Sequence, residues 1–146
     1  MSSSNTQSES SISATTNSSN TLTISLPSHI THLISIKLDL TNFLIWQSQF
    51  LPILRLHDLN GIVNGTSTPP PVILTTGTGT NLTTNPNPAF VKWHKLNQLT
   101  LSWINSSLSD TVLGETIGIT TSNTAWSTLE RPYAYLSQAR IMQLKY

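Results

Sequence analysis

Among the chain's four histidines, His29 and His32 share one tract and His57 stands directly beside Asp58. Residues of these types could ligate a metal, or pair a general base with an orienting carboxylate. The spacing argues against both. Adjacent residues on a helix point in different directions, so His57 and Asp58 make a poor dyad. The chain has no cysteine to complete a zinc set. Serine is so abundant that its nearness to a histidine carries no weight. The expectation is of polar residues at segment edges, with no catalytic, cofactor-binding or metal-ligating residue.

Other motifs fare similarly. Asn17, Asn64, Asn81 and Asn105 each open an N-x-Ser/Thr sequence. The N-terminus, MSSSNTQSESSISATTNSSN, lacks the basic and apolar regions of a secretory signal, so chance in a Ser/Thr/Asn-rich chain explains them better than glycosylation. Gly77 and Gly79 resemble part of a phosphate loop, but no Gly-Lys-Ser/Thr follows. Arg131, Arg140 and Lys145 are the candidate RNA contacts, with no acid after Glu130. Three charges are thin support, and a solvated helix face is the competing account.

Composition narrows the function classes. A length of 146 residues allows one domain at most, and only 9% of residues are charged. A net charge of +1 and a pI near 8.1 give no global field that would draw in nucleic acid or an anionic membrane. No apolar run approaches the roughly 20 residues that span a bilayer. The expectation is a soluble, cytoplasmic protein with no membrane partner and no small-molecule substrate.

The elements follow from periodicity. Residues 1–30 read as a disordered Ser/Thr/Asn-rich tail. Short extended pieces precede the first helix, with Leu22, Ile24 and Leu26 alternating before Pro27, and Ile34, Ile36 and Leu38 after it. Thr41-Asn42 supplies an N-cap. Leu44, Ile45, Phe50, Leu51 and Leu54 then recur at helical steps, with Trp46 at the edge of their face. Pro52 predicts a kink or a split, and Gly61 a stop. Residues 64–87, rich in Pro, Gly and Thr, read as a flexible loop.

Asn87-Pro88 opens the best helix, whose face carries Phe90, Trp93, Leu96, Trp103 and Ser107, broadened by Leu101, Ile104 and Leu108. Ser109-Asp110 caps a short third helix that Gly118 closes. Thr121-Ser122 caps a fourth with Trp126, Leu129 and Tyr133. Pro132 predicts a break, and Ser137 to Tyr146 a further helix bearing Ile141 and Leu144. That helix stops in mid-pattern, which predicts a truncated domain. Each of the four tryptophans falls on an apolar helical face. Trp46, Phe50, Leu54, Trp93, Leu96, Trp103, Trp126 and Leu129 are therefore the core or interface candidates. The fold class expected is mainly α, a small helical bundle.

Three ordered blocks then resemble a known family. IKLDLTNFLIWQSQFLPILRLHDLNGIVNGT, from Ile36 to Thr66, looks like the opening of the Gag N-terminal domain of copia-type plant retrotransposons. There a KLD-x-x-N-(Phe/Tyr)-x-x-W core precedes a leucine-rich helix and a Gly-(Ile/Phe)-Val-(Asn/Asp)-Gly-Thr turn. Pro69-Pro70-Pro71 falls in the expected place. NPAFVKWHKLNQLTLSWINSSLSDTVLGETIGITTSNTAWSTLER resembles the second block and QARIMQLKY the third, so the resemblance covers about Leu33 to Tyr146. It implies a capsid-like helical domain over 31–146 that forms homo-oligomers through Gag–Gag contacts and assembles particles around element RNA, without catalysis. Pro132 departs from the family, which continues the helix there.

Overall fold

The computed structural model describes residues 33–145; the tail and the Leu22–Leu26 alternation lie outside the described residues. The fold is mainly helical. In chain order the elements are α1 (Phe43–Leu56), α2 (Asn60–Asn64), β1 (Ile73–Thr76), β2 (Thr83–Pro86), α3 (Pro88–Ser106), α4 (Asp110–Thr116) and α5 (Ser122–Lys145).

The buried stripe of α1 is Phe43, Trp46, Phe50 and Leu54, a steady three- and four-residue step. Trp46, expected at the edge of the face, is its centre, and Ile45, expected inside, is exposed. Trp46 and Trp126 of α5 lie with ring centroids 5.1 Å apart. Phe50 is 5.0 Å from Trp46, and Phe43 packs on both tryptophans at 5.6 and 6.1 Å. The indole of Trp46 donates to Ser107 Oγ at 3.0 Å, which satisfies its one polar atom inside the core. Leu101, Trp103, Ile104 and Leu108 complete that core from α3 and its end.

Neither interior proline breaks its helix. Pro52 lies within α1 and Pro132 within α5, and both are exposed. An interior proline costs about 3 kcal/mol through a lost donor and a steric clash. Here the rings face solvent while Trp126, Leu129, Tyr133 and Ser137 bury the other side of α5. Burial of that side outweighs the local cost. The expected separate helix from Ser137 is therefore the second half of α5.

Three local signals resolve differently from their expectation. Asn42 does not cap α1: its carboxamide accepts from the Asp39 amide at 2.7 Å and donates to the Lys37 carbonyl at 2.9 Å, pinning the preceding segment instead. Gly61 lies inside α2. The reversal after α1 comes at Asp58, with φ of +56°, and Gly65, with φ of +84°, ends α2. Of the Ile34–Ile36–Leu38 alternation, Ile34 and Leu38 are buried and Ile36 is not. Leu38 forms one parallel bridge to Leu108, with its amide on the Ser107 carbonyl at 2.8 Å and its carbonyl on the Ser109 amide at 2.9 Å.

Other caps match their reading. Asn87 Oδ1 accepts from the Ala89 amide at 3.1 Å, with Pro88 in the first turn. Ser109 Oγ accepts from Val112 at 3.4 Å, and Thr121 Oγ1 from Thr124 at 3.3 Å. Asn97 of α3 is buried and accepts both the amide and the hydroxyl of Ser122, at 3.0 and 2.8 Å, tying α5's start to α3.

The segment expected as a flexible loop holds a hairpin. β1 and β2 pair antiparallel, with Ile73 opposite Pro86 and Thr76 opposite Thr83. Asn87 clamps the base: its amide donates to the Val72 carbonyl at 3.0 Å and its Nδ2 to the Pro71 carbonyl at 2.7 Å. In the turn, Gly77 has φ of +118°, and a Cβ there would sit 2.0 Å from the Asn81 carbonyl oxygen. Only glycine fits.

Trp46→Ala is expected to lower unfolding stability by about 3–5 kcal/mol, because it empties the centre of the aromatic cluster. Equilibrium urea denaturation against the exposed Ile45→Ala, whose cost stays below about 0.5–1 kcal/mol, measures the difference.

Candidate functional site

His29 and His32 lie outside the described residues. The His57 ring meets Trp103 edge-on, with centroids 5.6 Å apart, and its Nδ1 is buried without a partner. Asp58 beside it is exposed in the left-handed turn. His94 is exposed and stacks on Phe90 at 5.8 Å. No group of three or more metal-ligating side chains comes together among the described residues. Asn64 accepts from the amide and hydroxyl of Thr66, at 2.9 and 2.7 Å, in a local turn, and Asn105 accepts from Thr116 at 3.0 Å.

The core or interface candidates divide in two. Trp46, Phe50, Leu54, Trp103, Trp126 and Leu129 are buried in the interior. Trp93 and Leu96 sit half-buried at its border. The indole of Trp93 donates to the Ser67 carbonyl at 3.1 Å, holding the stretch that leads toward the hairpin.

Leu96 also lines a surface groove of about 580 Å³ at the foot of the hairpin. Its walls are Pro86, Pro88, Val91 and Leu96, with Lys92 and Lys95. Above it every residue of β1 and β2 is exposed, and Val72, Ile73, Leu74 and Leu82 present apolar surface. The usual hairpin signal is a short Asn-Gly or Asp-Gly turn. Residues 77–82 provide none, so β-propensity in Val72-Ile73-Leu74-Thr75-Thr76 was the signal available.

A second uncovered surface lies at the far end of α5. Its inward stripe, Trp126, Leu129, Tyr133 and Ser137, continues as Ile141 and Leu144, yet Leu144 is 77% exposed. The bundle beneath runs out first. Arg140, on the same side, donates to Thr41 Oγ1.

The basic residues do not converge. Because α5 is continuous, Arg140 lies about 180° around the helix from Arg131, and Lys145 lies about 21 Å along it from Arg131. The continuity that removes the expected break also separates the three charges.

One titrating group is strongly perturbed. The Tyr133 hydroxyl donates to Glu115 Oε1 at 2.8 Å. Burial, then the hydrogen bond and charge of Glu115, and last the charge of Asp39 push its pKa up to about 12. It is a latch between α4 and α5, not a proton donor for chemistry near neutrality.

Similarity to other proteins bears most on identity. Over 109 residues the chain is 29% identical to the retrovirus-related Pol polyprotein from transposon RE1 of Arabidopsis thaliana, a match covering 75% of this chain. Over 110 residues it is 29% identical to the corresponding polyprotein from transposon RE2 of the same plant, again over 75% of the chain. The chain is thus similar to two plant retrotransposon polyproteins. It spans about 7% of the length of each of these relatives. No family model and no solved structure matches it. Among the described residues, no helix is long and apolar enough to cross a membrane.

The Tyr133 latch sets an alkaline stability window. Below pH 10 the phenol is protonated in both states. Between pH 10 and about 12 the unfolded chain gives up a proton that the folded chain keeps, so stability falls as pH rises through that range. The loss expected is roughly 2–3 kcal/mol. Urea midpoints of the native chain and Tyr133→Phe, compared across this range, should converge as pH rises.

Proposed function

We propose that this chain is a non-enzymatic, Gag-like structural domain of copia-type retrotransposon origin, acting by self-association in the cytoplasm. The observation that carries the reading is the similarity to two transposon polyproteins across three-quarters of the chain. The geometry supports it. Trp46, Phe50, Trp103 and Trp126 are committed to packing, and His57 and His94 each pack on a different aromatic ring. Apolar features left on the outside include the hairpin, the groove at its foot and the end of α5. Surfaces of this kind suit contacts between protein copies better than turnover of a substrate.

RNA enters as cargo of such an assembly. Arg131, Arg140 and Lys145 would contribute only as separate phosphate contacts, because Arg140 lies on the opposite side of α5 from the other two, and those two stand about 21 Å apart along it.

Light scattering over a concentration series, on this chain and on a form extended by the coding sequence downstream of Tyr146, tests self-association. Mass rising with concentration in either form is the expected result. A strict monomer in both overturns the assembly role. RNA binding is read separately, as the salt dependence of affinity. Replacing Arg131, Arg140 and Lys145 by Ala is expected to reduce the slope by less than about 3, and a full loss of binding would make RNA recognition the primary role.

A further inference from the structure

The two outer edges of the hairpin are not equivalent. The Asn87 amide reaches across to the Val72 carbonyl, so Val72 directs its backbone groups toward β2. Antiparallel strands alternate, so Leu74 and Thr76 do the same, while Ile73 and Thr75 direct theirs outward. On β2 the outward positions are Thr84 and Pro86. Pro86 has no N–H, so that edge is blunted as natural sheets blunt edges against further pairing. The β1 edge carries no such guard. It offers two donors and two acceptors on exposed, β-branched and apolar sequence.

We propose that the β1 edge pairs with the β1 edge of a second copy, antiparallel about a two-fold axis centred on Leu74. This rests on the self-association reading and names one of its contacts. The register is self-consistent: Ile73 of each copy exchanges both backbone hydrogen bonds with Thr75 of the other, and the two Leu74 side chains face each other in the close, non-hydrogen-bonded pair.

Two further observations favour a second copy as the occupant. The stretch from Pro69 to Pro88 contains no charged residue, so two copies meet without like-charge repulsion. A contact between residues 72–76 of two copies also falls well under the roughly 1,200 Å² of a stable dimer interface. It is thus a weak contact, effective when repeated in an assembly, and a soluble monomer at low concentration is compatible with it. Each copy gains a four-stranded sheet in place of a two-stranded hairpin, which on its own is marginal in water.

The absence of native cysteine makes the test clean. Leu74→Cys places two thiols across the proposed axis at a Cα separation of about 4.5 Å, within disulfide range. Under mild oxidation, at concentrations where light scattering detects association, Leu74→Cys is expected to form covalent dimer at least tenfold faster than Leu82→Cys or Val91→Cys. Both controls are comparably exposed apolar sites. Adding Thr75→Pro, which removes an outward donor and leaves the ladder to β2 intact, should abolish that advantage. Adding Thr84→Pro on the opposite edge should leave it unchanged. Equal rates at all three cysteines, or insensitivity to Thr75→Pro, overturns the β1 pairing while detected association leaves the assembly reading standing. Absence of association in both the chain and its extended form overturns both.

Discussion

The packing of Trp46 against Trp126 is the contact on which the rest of the structure depends. It joins α1 to α5, elements far apart in the sequence, and Phe43 and Phe50 close around it. A cluster of this size buries large apolar area and adds favourable edge and offset geometry between rings. It also explains how a chain with so few charged residues holds together. Without that anchor, α5 would lose its reason to continue past Pro132, and α1 its reason to continue past Pro52.

Around the cluster, neutral amides and hydroxyls take the roles that ion pairs have elsewhere. Ser107 receives the Trp46 indole, Asn97 receives the start of α5, Asn87 clamps the hairpin, and Asn123 Nδ2 donates to the Val63 carbonyl at 2.7 Å to fix α2. Each satisfies a backbone or side-chain group that burial would otherwise leave unpaired. Neutral bonds of this kind are insensitive to salt. The frame therefore stays constant under the salt changes that govern contacts with nucleic acid.

The similarity to plant retrotransposon polyproteins places this packing in context. A domain whose largest aromatic cluster is spent internally acts through its surfaces. Two apolar ones are the hairpin with its groove and the overhanging end of α5. They lie on different elements. A copy that uses both can contact more than one neighbour, which is a requirement for an extended assembly rather than a closed dimer.

The sequence by itself determined the mainly helical class, the starts at Asn87, Ser109 and Thr121, and the turn at Gly118, because caps and helical periodicity are local signals that need no partner. The tryptophans were legible as apolar-face residues for the same reason. Only the tertiary structure decided which of them are fully enclosed, since Trp93 and Trp103 share one helix and one periodicity yet differ in what lies against them. It also decided the fate of the prolines, where packing along one side of α5 outweighs a local penalty, and with it the scattering of Arg131, Arg140 and Lys145. The hairpin was the least legible element. Its strands are short, its turn lacks a compact signature, and the Asn87 clamp that fixes it was readable only as a helix cap. Whether Ile73 and Thr75 face outward depends on register, a property of two strands together that neither strand's residues specify alone.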